Sequence, residues 1–385
     1  MSQRCGITVH VSLRYGTGSV KVRIPEDRLL GVLRPKPSVK RGQRVPAALS
    51  KPIASEPLPK LLDRKDKVAV VVSDVTRPCP TRRILPHVMR LLKTCGIRRD
   101  NVRILIATGM HRGHTPAERR RLLGRFAASI SRVVDHRTDS VQHVGTTRRG
   151  TEVSVNPLLL DADFALAIGN VDVHYFAGYT GGYKAVIPGL AGKETTEKNH
   201  SLMILPNAEP GVIESNPVRE DLEEAGQFTG LRYILNVVLD EANRIVAGFA
   251  GDPIAAHRQA ARIVDDLVKV PIKENADIVV ASAAGYPRDI NLYQAHKAIE
   301  DRRHHNTIRR MSRRLRERGL SKVDHGCIRP RRNWEEAQQR VRAGRPQGLR
   351  YQQDRKKSRD CDRIRQDEGV KSRSLQNLQE PAAGA

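Results

Sequence analysis

The sequence predicts an α/β protein with a mostly parallel sheet. Short runs of β-branched residues alternate with helical patterns over residues 1–300, and polar turns follow the runs. Such runs are typical of strands that are buried on both faces. Alternating strands and helices favour parallel pairing, and ligands of such sheets bind at the carboxyl ends of the strands.

The predicted elements follow one another along the chain. Residues 67–73 (KVAVVVS) and 102–107 (VRILIA) are predicted to be buried strands. Thr115 and Glu118 form a capping box with proline at the first helical position, so a helix begins at about residue 116. Further strands are predicted over 163–168 and 233–238, and further helices over 82–94 and 254–267.

Composition divides the chain into three parts. Residues 1–270 are predicted to form the N-terminal domain. A strand predicted over 276–281 (ADIVVA) opens a second α/β domain, of which residues 271–300 are the start. Residues 301–385 are polar and almost without aromatics, a composition typical of disorder. The second domain is therefore predicted to be truncated or disordered after about residue 300.

The charge is unevenly distributed. The 385 residues carry a net charge of +26, and residues 301–385 hold 24 Lys and Arg against 11 Asp and Glu, which is half of that excess. A nucleic-acid-binding protein that uses this basic tail is one alternative function. The absence of any RRM, zinc-finger or helix-turn-helix pattern, and of aromatics among the charges, makes nucleic acid a disfavoured partner.

Several other classes are disfavoured by composition. No apolar run of about 18 residues is present, so no membrane span or membrane partner is expected. The first residues lack a signal pattern, which predicts a cytoplasmic protein. The five cysteines are scattered without a CxxC pair, which argues against a disulfide framework or a zinc knuckle.

Two polar turns after predicted strands can carry chemistry. Asp74 and Arg77 follow the first strand, where a carboxylate and a guanidinium can hold a sugar hydroxyl and an anion. His111 lies between the second strand and a helix, where it can serve as acid or base. An ordinary polar turn and a surface histidine are the alternative interpretations.

A glycine-rich segment, HYFAGYTGGYK, runs from His174 to Lys184. Its glycines, which include Gly181 and Gly182, allow the backbone to approach a ligand closely, although the spacing is not that of a Walker A loop. Lys184 can bind phosphate or act as a nucleophilic amine, and the alternative is a flexible surface loop. His200, in a predicted helix, is a candidate metal ligand, although a lone histidine is usually not one.

A fifth segment, GYPRDINLYQAHK, follows the strand predicted to open the second domain. Its Tyr293, Gln294 and Lys297 can direct hydrogen bonds and a charge toward a cleft. The five segments occur in the order DxTRP, ATGxHR, HxFAGxxGGxK, NHS and GYPxDxNxYQAxK. In this order and spacing, from about residue 7 to residue 300, the chain resembles the nickel-dependent lactate racemase family.

The resemblance implies two α/β domains with the active site in the cleft between them, and residues 1–270 as the cofactor-binding domain. It implies a nickel-pincer pyridinium mononucleotide, derived from nicotinate and carrying two sulfur atoms, with nickel as its metal. The proteins that make and insert this cofactor are the implied partners. By residue, the resemblance makes Lys184 the covalent attachment, His200 the nickel ligand, His111 and His174 the acid/base pair, and Asp74 a ribose ligand; Arg77, Tyr293, Gln294 and Lys297 would bind substrate.

The chemistry of racemisation agrees with that set. A small 2-hydroxy acid such as lactate has no acidic C–H proton, so inversion requires removal of a hydride while a base takes the hydroxyl proton. Return of the hydride to the other face then needs a base on each side, hence two histidines. A cation must fix the carboxylate, and sulfur with one imidazole suits nickel. A homologue on the same fold that binds no nickel and catalyses nothing is a further alternative.

The tail departs from the family. Members continue after the YQAxK helix with a Gly-Gly strand and a segment like AECREGFGSEVFxRW. With Arg as CGN and Ser as TCN codons, the frame one nucleotide later permits Gly-Gly at 302–303, Ala-Glu-Cys-Arg at 309–312 and Arg-Trp at 322–323. We interpret residues 301–385 as a frameshifted sequence that follows a small deletion near codons 300–302, and we expect lowered or lost activity.

Overall fold

The computed structural model describes residues 7–34, 44–126, 132–271, 276–286 and 289. Among these residues, no helix is both long enough and apolar enough to cross a bilayer. The strands are Thr8–Tyr15 (β1), Gly18–Pro25 (β2), Val68–Ser73 (β3), Val102–Ala107 (β4), Val133–Asp135 (β5), Gln142–Thr146 (β6), Glu152–Val155 (β7), Phe164–Val171 (β8), Val173–His174 (β9), Gly178–Tyr179 (β10), Leu231–Leu239 (β11) and Ile245–Gly251 (β12). The α-helices are Val45–Ser50 (α1), Leu58–Leu61 (α2), Thr81–Thr94 (α3), Pro116–Leu123 (α4), Pro157–Leu160 (α5), Lys193–Ser201 (α6), Pro217–Gln227 (α7) and Ala255–Val268 (α8).

A six-stranded sheet forms the centre, in the order β12-β11-β8-β3-β4-β5. Every pair in it is parallel except β11 with β12. The predicted α/β class and the predicted strands of the N-terminal part are confirmed. Parallel pairing follows from the helices between consecutive strands, because a crossover must return the chain to the edge where it started.

The strands are apolar because both faces of the sheet are covered. Val70 and Val72 pack with α1, α2, α3 and α4 on one face, and Ala69 and Val71 pack with α7 and the segment around Leu190 on the other. Successive side chains of a strand point to opposite faces, so a run of valines serves both cores. This two-sided core fixes the positions at which the strands end.

Helix α4 begins as the sequence predicts. Thr115 Oγ1 accepts a hydrogen bond from the backbone N–H of Glu118, and the Glu118 carboxylate accepts one from the Thr115 backbone N–H. The capping box satisfies two N–H groups that a helix start leaves without an intrahelical acceptor. The turn that precedes α4, with His111 and His114, is thereby tied to a defined helix end.

The strand predicted over residues 276–281 is wrong: the described residues 276–286 contain no strand. Ile278, Val279 and Val280 are 72%, 42% and 53% exposed. A β-branched run becomes a buried strand only when neighbouring strands accept its hydrogen bonds and cover its side chains. The segment instead contacts the β1–β2 hairpin, where the Tyr286 backbone N–H donates to the Gly16 carbonyl at 2.9 Å.

Candidate functional site

Asp74 and His111 form a hydrogen-bonded pair where two neighbouring parallel strands end. β3 ends at Ser73 and β4 at Ala107, so the turns after them lie at the same edge of the sheet. His111 Nδ1 lies 2.6 Å from Asp74 Oδ2, with the carboxylate 3% and the imidazole 35% exposed. Because a carboxylate accepts, Nδ1 carries the proton and Nε2 keeps its lone pair in the neutral ring.

Thr76 and Arg77 complete the turn around the Asp74 carboxylate. Thr76 Oγ1 donates to it at 2.8 Å, and Arg77 Nε lies 3.9 Å from Oδ1. Burial raises the pKa of Asp74, but the hydrogen bond from His111 and the charge of Arg77 outweigh burial and hold the pKa below its ordinary value. The carboxylate is therefore ionised at neutral pH, and the half-buried Arg77 guanidinium can bind an anion.

The loop of residues 174–184, called here the glycine loop, follows β8 and is held by a buried arginine. Arg219 is fully buried and donates to the Ala177 carbonyl at 3.1 and 3.0 Å and to the Tyr179 carbonyl. Burial lowers the pKa of Arg219 to about 10, and the Glu223 carboxylate opposes that shift. The guanidinium therefore stays charged at neutral pH and fixes two carbonyls of the loop.

Two further buried side chains hold the centre of the glycine loop. Asn236 Oδ1 accepts from the Gly182 backbone N–H at 2.8 Å, and His257 Nε2 donates to the Thr180 carbonyl at 2.9 Å. Asn236 lies on β11 and His257 on α8. The sheet and the helix packed beside it thus both set the path of the loop.

Lys184 and His200 lie against the same aromatic ring. Lys184 Nζ is 5.5 Å from the centroid of Phe176, and the His200 ring centroid is 5.0 Å from it in an edge-on arrangement. Burial, and then the charge of Lys184, lower the pKa of His200 to about 3. His200 is therefore neutral at physiological pH, and within the described part of the chain its buried Nε2 has no hydrogen-bond partner.

His174 packs within the same aromatic group. Its ring centroid lies 4.8 Å from that of Tyr175 and 4.6 Å from that of Phe176. The Ala177 backbone N–H donates to His174 Nδ1 at 3.3 Å. Since Nδ1 accepts, Nε2 carries the proton in the neutral ring, which is the opposite tautomer to that of His111.

A backbone hydrogen bond joins the two groups of side chains. The Gly109 N–H donates to the Gly189 carbonyl at 3.0 Å, which places the turn that carries His111 against the chain just beyond Lys184. Among the described residues, no three His, Cys, Asp or Glu side chains are grouped so as to hold a metal ion by themselves. A surface cavity behind the Asp74 turn contains none of the predicted site residues; it is lined by Pro78, Pro80, Arg82, Arg83, Arg121, Ala242, Asn243 and Arg244.

Comparison with known proteins gives the same assignment as the motifs. Residues 15–211 match the lactate racemase N-terminal domain. The lactate racemase of Thermoanaerobacterium thermosaccharolyticum is 34% identical over 300 residues, which are 75% of this chain and 70% of that protein. The chain belongs to the lactate racemase family. The lactate racemase of Lactiplantibacillus plantarum is 33% identical over 302 residues, 76% of this chain and 70% of its own length.

Solved structures agree with this family membership. The lactate racemase apoprotein from Thermoanaerobacterium thermosaccharolyticum superposes with a TM-score of 0.68 and 33% identity, over 74% of this chain and 69% of that one. A Thermotoga maritima protein superposes with a TM-score of 0.50 and 25% identity, over 57% and 59% of the two chains. The resemblance drawn from the five motifs is confirmed, and the chain is an isomerase of the racemase type.

The structure places most of the residues that the motifs predict for a lactate racemase in two groups. Asp74, Arg77 and His111 form one, at the ends of β3 and β4. The second surrounds Phe176 and the glycine loop; it comprises His174, Gly181, Gly182, Lys184 and His200. The other predicted substrate ligands, Tyr293, Gln294 and Lys297, lie outside the described residues. The roles of all the predicted site residues stay predictions.

Three residues that belong to none of the motifs hold the glycine loop in place. Arg219, Asn236 and His257 contact the glycine loop from distant elements, and no local pattern marks them as different from other polar residues of helices and strands. The sequence does show a helix start at Asn216 and Pro217, which places Arg219 in the first turn of that helix. Only the tertiary contacts show which carbonyls it serves.

Proposed function

We propose that this chain is a racemase or epimerase of a small 2-hydroxy acid such as lactate, with a nickel-pincer pyridinium mononucleotide held by Lys184 and His200. The observation that carries the proposal is the buried Nε2 of His200, which has no hydrogen-bond partner in the described residues. A buried polar atom without a partner is unfavourable, and coordination to a metal would satisfy it. A neutral imidazole is a ligand that suits nickel.

The residues present fit a tethered cofactor. Lys184 would bind it covalently and His200 would give nickel a nitrogen ligand, and both side chains lie near the Phe176 ring. The glycine loop would bring its backbone close to the nucleotide at Gly181 and Gly182, while Asn236 and His257 fill the space that a Cβ would need there. When bound, the cofactor would supply an electrophilic carbon as the acceptor for the hydride of substrate C2.

The two histidines would move the proton of the substrate hydroxyl. His111 offers a lone pair at Nε2 and His174 a proton at Nε2, so one can accept while the other donates. The two enantiomers of a 2-hydroxy acid present the hydroxyl on opposite sides of C2. Each histidine would therefore act as the base when one enantiomer is the substrate and as the acid when the other enantiomer is the substrate.

Asp74 would act on His111 rather than primarily on a ribose. Its carboxylate is buried and already accepts from His111 and Thr76, which leaves little of it for a sugar hydroxyl. In that position it fixes the tautomer of His111 and stabilises the ring when it gains a proton. Arg77 would bind the substrate carboxylate together with the sequence-predicted Tyr293, Gln294 and Lys297.

We place the reaction in the cytoplasm, with the proteins that make and insert the cofactor as the partners and with neither a membrane nor nucleic acid as a partner. The described cysteines Cys79 and Cys95 are free thiols, as expected in a reducing compartment. The chain lacks the family segment that follows the YQAxK helix, and we propose that its activity is lowered or lost for that reason.

The test of the cofactor proposal is expression of the full chain together with the cofactor-synthesis proteins. We expect a mass increase on the peptide that contains Lys184 and one nickel per chain by metal analysis. The substitution Lys184→Arg should abolish the mass increase. His200→Gln should keep the mass increase and lose most of the nickel, because the covalent bond and the metal ligand come from different side chains.

A chain that gains neither mass on Lys184 nor nickel under these conditions would contradict the proposal and favour the homologue that binds no nickel. The exposed Lys198, on the same helix as His200, offers a matched control. Its substitution Lys198→Arg should change neither quantity. Conversion of one lactate enantiomer into the other, followed by chiral chromatography, then measures whether the loaded chain is active.

A further inference from the structure

We propose that His114 and Asp135 form a positioning pair that holds the turn from Asp74 to Arg77 through a single hydrogen bond to the Val75 backbone. The inference rests on the proposed function in one respect, namely that Asp74 and Arg77 belong to the site. His114 is a positioning residue, since its contacts are to the turn and not to the groups that would touch the substrate.

His114 connects two elements by its two ring nitrogens. Nε2 accepts a hydrogen bond from the Val75 N–H at 3.2 Å, and Nδ1 lies 2.7 Å from Asp135 Oδ1. The ring is 2% exposed, so water does not compete for either nitrogen. A backbone N–H can only donate, so Nε2 must be without a proton and Nδ1 must carry it.

The Asp135 carboxylate accepts hydrogen bonds from His114 and from a neighbouring arginine. Asp135 is the last residue of β5, and its Oδ2 accepts from the His114 backbone N–H at 3.0 Å and from Arg119 at 2.6 Å. Burial raises the pKa of Asp135, but the hydrogen bonds from His114 and Arg119 outweigh burial and lower the pKa to about 2. An ionised acceptor at Oδ1 keeps the proton of His114 on Nδ1 and leaves Nε2 for Val75.

The hydrogen bond to the Val75 N–H can affect the positions of several site residues. β3 ends at Ser73, so the Val75 N–H lies beyond the strand pairing of the sheet. Val75 stands directly between Asp74, which orients His111, and the side chains of Thr76 and Arg77. A rotation of the Val75 peptide would therefore move the carboxylate that fixes His111 and the guanidinium proposed to bind substrate.

A series of contacts therefore runs from β5 through Asp135 and His114 to Val75, and from there through Asp74 to His111. Gly113 contributes to it, since a Cβ at this position would stand 3.3 Å from Asp135 Oδ2 and crowd the carboxylate. β5 thus influences, through His114 and the turn after β3, the orientation of a base that lies on the same loop as His114. A histidine that served only the stability of α4 would not need its second nitrogen on the Val75 backbone.

Two substitutions separate the two nitrogens. In His114→Gln the side-chain oxygen can reach the place of Nε2 and accept from Val75, whereas in His114→Asn the shorter amide can replace only the Nδ1 contact with Asp135. The readout is hydrogen exchange of the Val75 amide in the full chain expressed without the cofactor proteins. We expect exchange about tenfold faster in His114→Asn, the change that loss of one hydrogen bond of ordinary strength gives, and near-native exchange in His114→Gln.

The tautomer of His111 gives a second readout in the same samples. Ring nitrogen shifts of His111 in the native chain should show the proton on Nδ1, and His114→Asn should shift the ring toward a mixture of tautomers. The exposed His143 provides the control, and His143→Asn should change neither readout. If His114→Asn does not fold, Asp135→Asn, which keeps the shape of the acceptor, should give a smaller rise in Val75 exchange.

The inference is overturned if His114→Asn, or Asp135→Asn in its place, leaves Val75 exchange and the His111 tautomer unchanged, even where the melting temperature falls. It is also overturned if His114→Gln behaves like His114→Asn. Both readouts use the chain without cofactor, so they stand even if Lys184 gains no mass. In a loaded and active enzyme, His114→Asn should also lower kcat and raise KM, because His111 and Arg77 both depend on the turn.

Discussion

Single side chains in this protein are held in defined charge states by the hydrogen bonds they accept. Asp74 and Asp135 are both largely buried, and in each the hydrogen bonds outweigh burial and lower the pKa. A carboxylate whose pKa is lower in the folded than in the unfolded chain stabilises the fold above its unfolded pKa. That contribution is lost as the pH falls through the folded pKa.

The first prediction concerns Asp135→Asn. The pKa of Asp135 falls from 3.8 to about 2 on folding, which corresponds to about 2 kcal/mol of unfolding free energy at pH 7. The substitution should lower the free energy of unfolding in urea by about that amount at pH 7. The difference between the two proteins should shrink as the pH falls from 4 to 2. A difference that is constant over this range would show that the charge of Asp135 is not its source. The exposed Asp266 gives the control Asp266→Asn.

The second prediction concerns the buried Arg219. Its removal in Arg219→Met takes away the side-chain donor of the Ala177 and Tyr179 carbonyls and leaves Glu223 with one cation fewer. Breaking a buried charge network in this way costs about 3–5 kcal/mol. Urea unfolding should show a loss of that size, whereas Arg262→Met, on the exposed side of α8, should change the free energy of unfolding by less than about 0.5 kcal/mol. A loss below about 1 kcal/mol would mean that the stability of the fold does not depend on the hydrogen bonds from Arg219 to the glycine loop.

At the scale of elements, the glycine loop is shaped by close approach as much as by ligand binding. Gly181 has φ +82° and ψ −173°, a conformation that only glycine adopts without strain. A Cβ there would lie 2.7 Å from Asn236 Oδ1 and 2.8 Å from Val171 Cγ2. Glycine at this position is therefore required by the fold itself, whether or not the cofactor is present.

The third prediction follows from that geometry. Gly181→Ala should destabilise the chain by about 2–3 kcal/mol or more, since backbone strain and steric overlap add. Gly150 has φ +73° with nothing within 4 Å of the added Cβ, so Gly150→Ala reports backbone strain alone. Thermal unfolding of both variants separates the two contributions. Equal losses would contradict a role for the close approach to Asn236 and Val171.

At the scale of the whole molecule, the described residues include only part of the predicted site, since Tyr293, Gln294 and Lys297 lie outside them. The family match covers residues 15–211, and the chain matches about 70% of the length of its relatives. Ile278 to Val280 form an apolar run of the kind that parallel sheets bury, and it is exposed in the described segment. An exposed apolar run marks a surface that another part of a folded protein would cover.

The fourth prediction concerns the reading frame. The nucleotide sequence should contain CGN-type codons for the arginines of residues 302–318, and the frame one nucleotide later should spell a segment like AECREGFGSEVFxRW. A gene in which this frame is restored after codon 300 should give a chain with at least tenfold higher racemase activity than the present one when both carry cofactor. Codons of another type at these positions, or equal activity of the two chains, would contradict the frameshift.

The sequence by itself determined the fold class, the strand ends that carry Asp74 and His111, the helix that carries His200, and the family. These follow from local patterns and from motif order, because a buried strand and a capping box depend on residues that are neighbours in the sequence. The strand predicted from the sequence over residues 276–281 was wrong, because this strand-like run has no neighbouring strand among the described residues. Strand formation depends on partners that a local pattern does not contain.

Only the tertiary structure decided how the site residues are held. The pairing of Asp74 with His111, the buried His200 beside Lys184, the clamp of Arg219 on the glycine loop and the His114–Asp135 pair join residues that lie far apart in the chain. Sequence patterns report periodicity and local hydrogen bonding, whereas tautomers and perturbed pKa values depend on burial and on which distant groups meet. The sequence thus indicates which side chains are candidates for the site, and the packing sets their protonation states.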